Sequence, residues 1–74
     1  MNTKQQDIQK LKSLSPMNGN CQVFWFEGGG GDVYRIFDTF YLNYVTAYGG
    51  NEYFEGAFEI EDVEKLVDLA HTWT

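Results

Sequence analysis

The sequence predicts an α+β fold of two layers, in the order α-β-β-β-β-α. Two helices are expected to pack on one face of a four-stranded antiparallel meander. Three observations predict this fold. Residues 21–60 are rich in aromatic and β-branched residues and are interrupted by glycine clusters at 28–31 and 49–51, the pattern of strands joined by hairpin turns. Residues 60–73 repeat apolar residues at helical spacing. The chain has 74 residues, so we expect residues 1–74 to form a single small domain.

The first predicted helix covers residues 4–14. Thr3 and Gln6 fit a capping box, in which the first side chain binds a backbone amide three residues on. Pro16 is expected to end the helix, because proline cannot continue its hydrogen bonds. A narrow apolar stripe runs along it, formed by Ile8, Leu11 and Leu14.

Four strands follow, predicted at residues 21–27, 32–38, 40–48 and 52–59. A glycine loop between the first two strands pairs Phe26 with Val33. A two-residue turn at residues 38–39 pairs Phe37 with Phe40. Directly opposed residues in a hairpin point to the same side of the sheet, so these pairs decide which side chains share a face.

The last hairpin is predicted to turn through residues 49–51, since a three-residue loop places Leu42 opposite Phe58. When this register is extended through the sheet, every phenylalanine lies on one face. Arg35 and Tyr44 lie on the same face and are the two residues that do not fit an apolar core. Phenylalanine has no polar atom and suits a dry core, whereas Tyr and Trp tolerate a wet boundary. The opposite face then holds Val23, Trp25, Tyr34, Ile36, Tyr41, Asn43, Val45, Tyr53, Glu55 and Glu59.

The second helix is predicted at residues 60–73, and its apolar side should lie on the phenylalanine face of the sheet. Its first turn is acidic, which suits the positive end of a helix dipole. We expect the first helix to cover the rest of the same face. The alternative is that the first helix crosses to the Tyr/Trp face and gives three layers. The apolar side consists of Ile60, Val63, Leu66, Val67, Ala70 and Trp73.

The sequence contains no constellation typical of catalysis. The glycine run 28–31 is flanked by acids and followed by a strand, which disfavours phosphate binding. Cys21 is the only cysteine and His71 the only histidine, so few nucleophile pairs are possible. Glu64 and Asp68 share a helix side with His71, but a solvated face is favoured over a metal site. We therefore expect a protein that is not an enzyme, with no catalytic residue, no metal and no cofactor.

The charge distribution is more informative. The net charge is −6, and residues 27–74 hold ten of the eleven acids. Such a surface repels nucleic acid directly and favours a protein partner with a basic surface. The alternative is that the acids only keep an aromatic-rich chain soluble. We find no signal peptide and no apolar run that could span a membrane, so a cytoplasmic protein without membrane contact is expected.

The leading hypothesis is a small acidic, non-catalytic protein-binding module. Small acidic proteins of this type are common among the inhibitors that phages and mobile elements direct at host machinery. This is an analogy of type only. The leading hypothesis therefore includes an inhibitor that docks on a nucleic-acid-binding surface of a host protein. The alternative is a structural homodimer or small subunit that assembles through the Tyr/Trp face, where Trp25, Tyr34 and Asn43 are predicted to form one row. The predicted partner-binding residues are Trp25, Tyr34, Tyr41, Asn43, Tyr53, Glu55, Glu59, Glu61, Glu64 and Asp68.

Overall fold

The structure is a computed structural model that describes residues 4–16, 22–26, 31–45 and 52–73. The elements are α1 (Lys4–Ser13), β1 (Gln22–Trp25), β2 (Gly31–Ile36), β3 (Thr39–Val45), β4 (Glu52–Glu59), a 3-10 turn (Ile60–Asp62) and α2 (Val63–His71). The strands form one antiparallel sheet in the order β1-β2-β3-β4. The predicted α+β meander with two helices is confirmed. The Thr3 cap, Cys21 and the predicted loop residues 28–30 and 49–51 lie outside the described residues.

Both helices pack on the same face of the sheet. The buried cluster combines side chains from all three parts: Ile8 and Leu11 of α1, Phe26, Val33, Phe40 and Leu42 of the sheet region, and Val63, Leu66, Val67 and Ala70 of α2. Ile60 and Trp73 pack against this cluster, as the helical spacing predicts. The alternative with α1 on the other face is therefore wrong. This arrangement leaves the second face of the sheet turned away from both helices.

The first two hairpins have a register that differs by two residues from the predicted one. Phe24, not Phe26, lies opposite Val33. Arg35 lies opposite Phe40, and the chain turns at residues 37–38 instead of 38–39. Because side chains alternate between the faces with a period of two, an even shift leaves the residues within β1, β2 and β3 on their predicted faces. The prediction was wrong about which residues lie opposite each other in these strands, but right about the face of the sheet on which each lies.

The last hairpin shows the same shift, and it also contains a β-bulge. Leu42 faces Gly56 instead of Phe58. One step further, Asn43 faces Phe54, so that Glu55 is the extra residue on β4. A bulge inserts one residue into one strand and reverses the alternation beyond it. The side chains of residues 52–54 therefore lie on the faces opposite to those predicted.

Two phenylalanines do not lie on the predicted phenylalanine face, one because of the bulge and one because it lies in a turn. Phe54 turns away from the helices and is 66% exposed. Phe37 lies in the β2–β3 turn, has a positive φ of 55° and is 54% exposed. Tyr53 moves the other way, to the helix side, where it lies opposite Tyr44. The prediction that all phenylalanines share one face is wrong, and so is the placement of Tyr53.

Arg35, an exception in the predicted core, has a clear structural role. Its side chain is almost completely buried, and its guanidinium carbon lies 5.0 Å from the centre of the Phe40 ring. It donates hydrogen bonds to the carbonyl oxygens of Phe37, Lys12 and Leu14 and to the carboxylate of Asp38. Two of these carbonyls belong to the end of α1, where helical carbonyls lack partners within the helix. Arg35 thus ties α1 to the β2–β3 hairpin.

Tyr44, the other exception, belongs to an aromatic contact at the end of α2. Its ring packs edge-on against Trp73, with centroids 5.0 Å apart. Trp73 also approaches Gly31 so closely that a Cβ there would lie 2.9 Å from its ring. The same Cβ would lie 2.9 Å from the carbonyl oxygen of Asn43. Glycine at the start of β2 is therefore needed for the sheet and α2 to approach each other.

Candidate functional site

We call the sheet face turned away from both helices the outer face. Alternation along the strands places the following residues on it: Val23, Trp25, Asp32, Tyr34, Ile36, Thr39, Tyr41, Asn43, Val45, Glu52, Phe54, Ala57 and Glu59. Its most exposed large side chains are Trp25, at 63%, and Phe54, at 66%. Exposed aromatic side chains are enriched in surfaces that bind another protein, and the acids beside them make this face negatively charged.

One row of the outer face contains both of these aromatic residues. Trp25 lies opposite Asp32, Asp32 opposite Asn43, and Asn43 opposite Phe54. Adjacent strands lie ~4.8 Å apart, so the two aromatic residues at the ends of the row are separated by roughly 14 Å at the backbone. A carboxylate and an amide therefore lie between two exposed aromatic side chains.

The carboxylate of Asp32 is the unusual group in this row. It has no exposed surface, and within the described part of the chain neither of its oxygens has a hydrogen-bond partner. Burial raises the pKa of Asp32 above its ordinary value of 3.8, and the charge of Glu52 raises it further. The nearby Asn43 amide and Tyr34 hydroxyl lower the pKa in part, although neither makes a hydrogen bond of good geometry. An unpartnered buried carboxylate is costly, and such perturbed groups are found most often at functional sites.

A hydrogen bond crosses the outer face above this row. The hydroxyl of Tyr34 on β2 donates to Oε1 of Glu52 on β4 over 3.3 Å, so the pair spans β3. Tyr34 belongs to the row of Tyr41 and Glu52 to the row of Val45. The bridge is therefore diagonal and crosses the intervening row that contains Asp32. Burial and the charges of Asp32 and Glu52 raise the pKa of Tyr34, so it remains a protonated donor at neutral pH.

The structure brings some of the predicted partner-binding residues together. Trp25, Tyr34, Tyr41, Asn43 and Glu59 all lie on the outer face. The predicted row of Trp25, Tyr34 and Asn43 is wrong, because Tyr34 lies beside Tyr41 in the neighbouring row. This follows from the two-residue shift of the registers.

The remaining predicted residues do not join them. Tyr53 lies on the helix side of the sheet, and Glu55 is the bulged residue of β4. Glu61, Glu64 and Asp68 are exposed on the 3-10 turn and on α2, in the other layer of the fold. The acidic segment 52–68 is therefore divided between two surfaces instead of forming one.

Sequence reasoning missed five members of the outer face: Asp32, Thr39, Glu52, Phe54 and Ala57. Asp32 was interpreted only as a flank of the glycine run, because Asp beside glycine is an ordinary signal for a turn next to a strand. Phe54 depends on the bulge, for which Gly56 within the strand was the available signal.

The metal alternative on α2 finds no geometric support. Nε2 of His71 lies 2.5 Å from the carboxylate of the buried Asp7 on α1. Asp68 pairs instead with Lys4, over 3.2 Å. Two of the three potential ligands thus interact with α1. Among the described residues, no group of three or more His, Cys, Asp and Glu side chains could hold a metal ion.

Comparison with protein-family models, with curated proteins and with solved structures finds no match. Neither helix in the described part of the chain has the length and hydrophobicity that a membrane crossing requires.

Proposed function

We propose that this chain is a non-catalytic protein-binding module that docks through its outer face on a basic surface of another protein. The observation that carries the proposal is the combination of two exposed aromatic side chains, Trp25 and Phe54, with acids on the face turned away from α1 and α2. Trp is among the residues most enriched in interface hot spots, and aromatic residues in general are enriched in interfaces. The acids would steer a basic partner toward this face.

The charge of the chain also favours a partner of a particular kind. Surfaces with clustered Lys and Arg are typical of proteins that bind nucleic acid. A chain with a net charge of −6 is electrostatically complementary to such a surface and would compete with nucleic acid for it. The proposed activity is therefore inhibition of a nucleic-acid-binding protein by occupying its groove.

Assembly of two identical copies through the outer face is less well supported. A two-fold interface uses the same patch on both copies. It would bring the acidic patch of one copy, with Glu52 and Glu59, close to the same patch of the other, and like charges facing each other disfavour association.

The test compares two pairs of substitutions that each remove two exposed apolar or aromatic side chains. Trp25→Ser with Phe54→Ser changes the outer face, whereas Tyr53→Ser with Leu69→Ser changes exposed residues on the helix side. Native protein is used to capture a partner from a lysate of the cells that produce it, and the purified partner is then titrated with each variant.

We expect the outer-face variant to lose at least tenfold in affinity, since two aromatic anchors contribute on the order of 1–2 kcal/mol or more each. The helix-side control should bind like the native protein. Equal losses in both variants would contradict the proposal. A native protein that sediments as a dimer, and an outer-face variant that sediments as a monomer, would support the homodimer instead.

A further inference from the structure

The outer face contains one group whose chemistry indicates what it binds. Asp32 is fully buried, yet neither carboxylate oxygen has a hydrogen-bond partner in the described part of the chain. Buried carboxylates in proteins are normally paired with a cation or with several donors. A hydrogen-bond donor from outside the described residues can pair this carboxylate, and a cationic donor would also compensate its charge when it is ionised.

The surroundings of Asp32 narrow the choice of cation. Glu52 lies close enough to raise the pKa of Asp32 through its charge, so two carboxylates face the same space. A guanidinium has five N–H donors in a planar fork and can bind two carboxylates at once, whereas an ammonium has three donors at a single point. Asn43 lies beside Asp32 in the same row and offers a carbonyl oxygen as a further acceptor.

The two ends of the row supply a second kind of contact. Trp25 and Phe54 flank the Asp32–Asn43 pair and are mostly exposed. Guanidinium groups stack on aromatic faces more readily than ammonium groups, and Trp is the best aromatic partner. Phe54 reaches this position only because of the bulge at Glu55, since regular alternation would turn it toward the helices.

We infer that Asp32 and Glu52 bind one arginine side chain of the protein partner. Trp25 and Phe54 form the walls of this arginine site. The inference rests on the proposed function and adds the chemistry of the contact at its centre.

Access to the site depends on Tyr34. Its hydrogen bond to Glu52 is 3.3 Å long and exposed to solvent, so it is weak in comparison with a charged pair. An arriving guanidinium displaces the Tyr34 hydroxyl from Glu52 and reaches both carboxylates. Tyr34 thus occupies the place of the ligand in the free protein.

The test uses three short peptides and the complete protein labelled with ¹⁵N. The peptides share the sequence acetyl-Gly-Ser-X-Ser-Gly-amide, in which X is arginine, lysine or citrulline, the neutral analogue of arginine. Affinity is followed by NMR titration at low salt, and the side-chain amide of Asn43 reports on the site directly. We expect the arginine peptide to bind best and the citrulline peptide least, with shifts at Asn43, Trp25 and Phe54.

Two variants separate the site from general attraction between opposite charges. Asp32→Asn keeps the shape of the side chain and should lower affinity for the arginine peptide about tenfold or more, because a hydrogen bond between charged groups is lost. Tyr34→Phe removes the competing hydroxyl but leaves the acids unchanged, and should raise affinity about twofold to tenfold. Glu64→Gln on α2 removes the same unit of charge elsewhere and serves as the control.

Several results would overturn the inference: equal binding of the arginine and citrulline peptides, equal binding of the arginine and lysine peptides, or an Asp32→Asn variant that binds like the native protein. If the peptide test fails but the outer-face variant still binds the partner more weakly, only the arginine site is ruled out. If the arginine peptide binds as expected but the outer-face variant binds the partner like the native protein, only the proposed function is ruled out.

Discussion

Asp32 is the fully buried residue of the outer face, and its burial has a cost in stability. Its carboxylate is desolvated without a partner, and its pKa is raised chiefly by burial. A raised pKa means that the folded state holds the proton more tightly than the unfolded state does. Ionisation of Asp32 therefore lowers the free energy of unfolding.

The first prediction concerns the pH dependence of this effect. Below the ordinary pKa of 3.8, Asp32 is protonated in both states and Asp32→Asn should change stability little. As pH rises from 3.8 to the higher pKa of the folded state, the native protein should lose stability relative to the variant. Urea unfolding of both proteins below pH 3.8 and near neutrality measures the difference.

Above this window, the variant should be the more stable protein by a constant amount. Greater stability together with weaker binding of an arginine peptide is the signature of a residue kept for binding. A variant that is less stable at neutral pH would show that Asp32 is a structural residue with a partner.

Phe37 is the second residue with an unusual conformation. Its φ of 55° is rare for a bulky side chain, and its ring is largely exposed. A positive φ at the first central position is typical of the primed turns that close two-residue hairpins, where glycine is preferred. The tight turn between β2 and β3 therefore strains Phe37.

Phe37→Gly should relieve this strain and increase the free energy of unfolding by roughly 1 kcal/mol, the usual cost of the left-handed region for an L-residue. Phe37→Ala removes the same ring without relieving the backbone, so it is the matched control. Thermal unfolding should rank the glycine variant above the alanine variant. The reverse order would mean that the ring, not the backbone, determines stability at this turn.

At the scale of elements, Arg35 connects α1 with the β2–β3 hairpin. Its side chain hydrogen-bonds the final carbonyls of α1 and the carbonyl of Phe37 while buried against Phe40. Only a planar guanidinium has enough donors in the required directions. The connection makes the docking of α1 dependent on one side chain.

Arg35→Lys should therefore cost about 1–3 kcal/mol, since lysine leaves buried carbonyl oxygens without donors. Lys12→Arg is a control that exchanges the same residue types at an exposed position of α1. Hydrogen exchange should show faster opening of α1 in Arg35→Lys than in the control. Unchanged protection of α1 would contradict the role assigned to Arg35.

The elements also show what the sequence could and could not predict. Segregation of Phe from Tyr and Trp predicted the faces, because burial depends only on the parity of the register. It could not distinguish registers two residues apart, such as Phe24 or Phe26 opposite Val33, since both keep the same faces. The bulge changed parity within β4 and so moved Phe54 and Tyr53 to unexpected sides.

The sequence also predicted the candidate site only in part. Trp25, Tyr34 and Asn43 were assigned correctly to one face because alternation in β1–β3 is regular. Asp32 could not be recognised, because its isolation depends on the burial created by neighbouring strands. Tertiary contacts, not the local sequence pattern, decide whether a carboxylate is solvated or is buried without a hydrogen-bond partner.

On the scale of the whole molecule, the fold separates two acidic surfaces. Glu52 and Glu59 lie on the outer face of the sheet, whereas Glu61 and Glu64 lie on the 3-10 turn and α2. All four are exposed. We propose that the partner binds the first surface and not the second.

The most direct test therefore measures how fast two charge-reversal variants associate with the captured partner. Glu52→Lys with Glu59→Lys and Glu61→Lys with Glu64→Lys change the net charge of −6 by the same amount. Rates are measured by stopped flow over a range of salt concentrations. The outer-face reversal should slow association at low salt by about tenfold or more and flatten the salt dependence, because local charge at the docking surface steers encounter. The helix-side reversal should slow association by less than about threefold. Equal effects of the two reversals would contradict the claim and leave the acids with a role in solubility only.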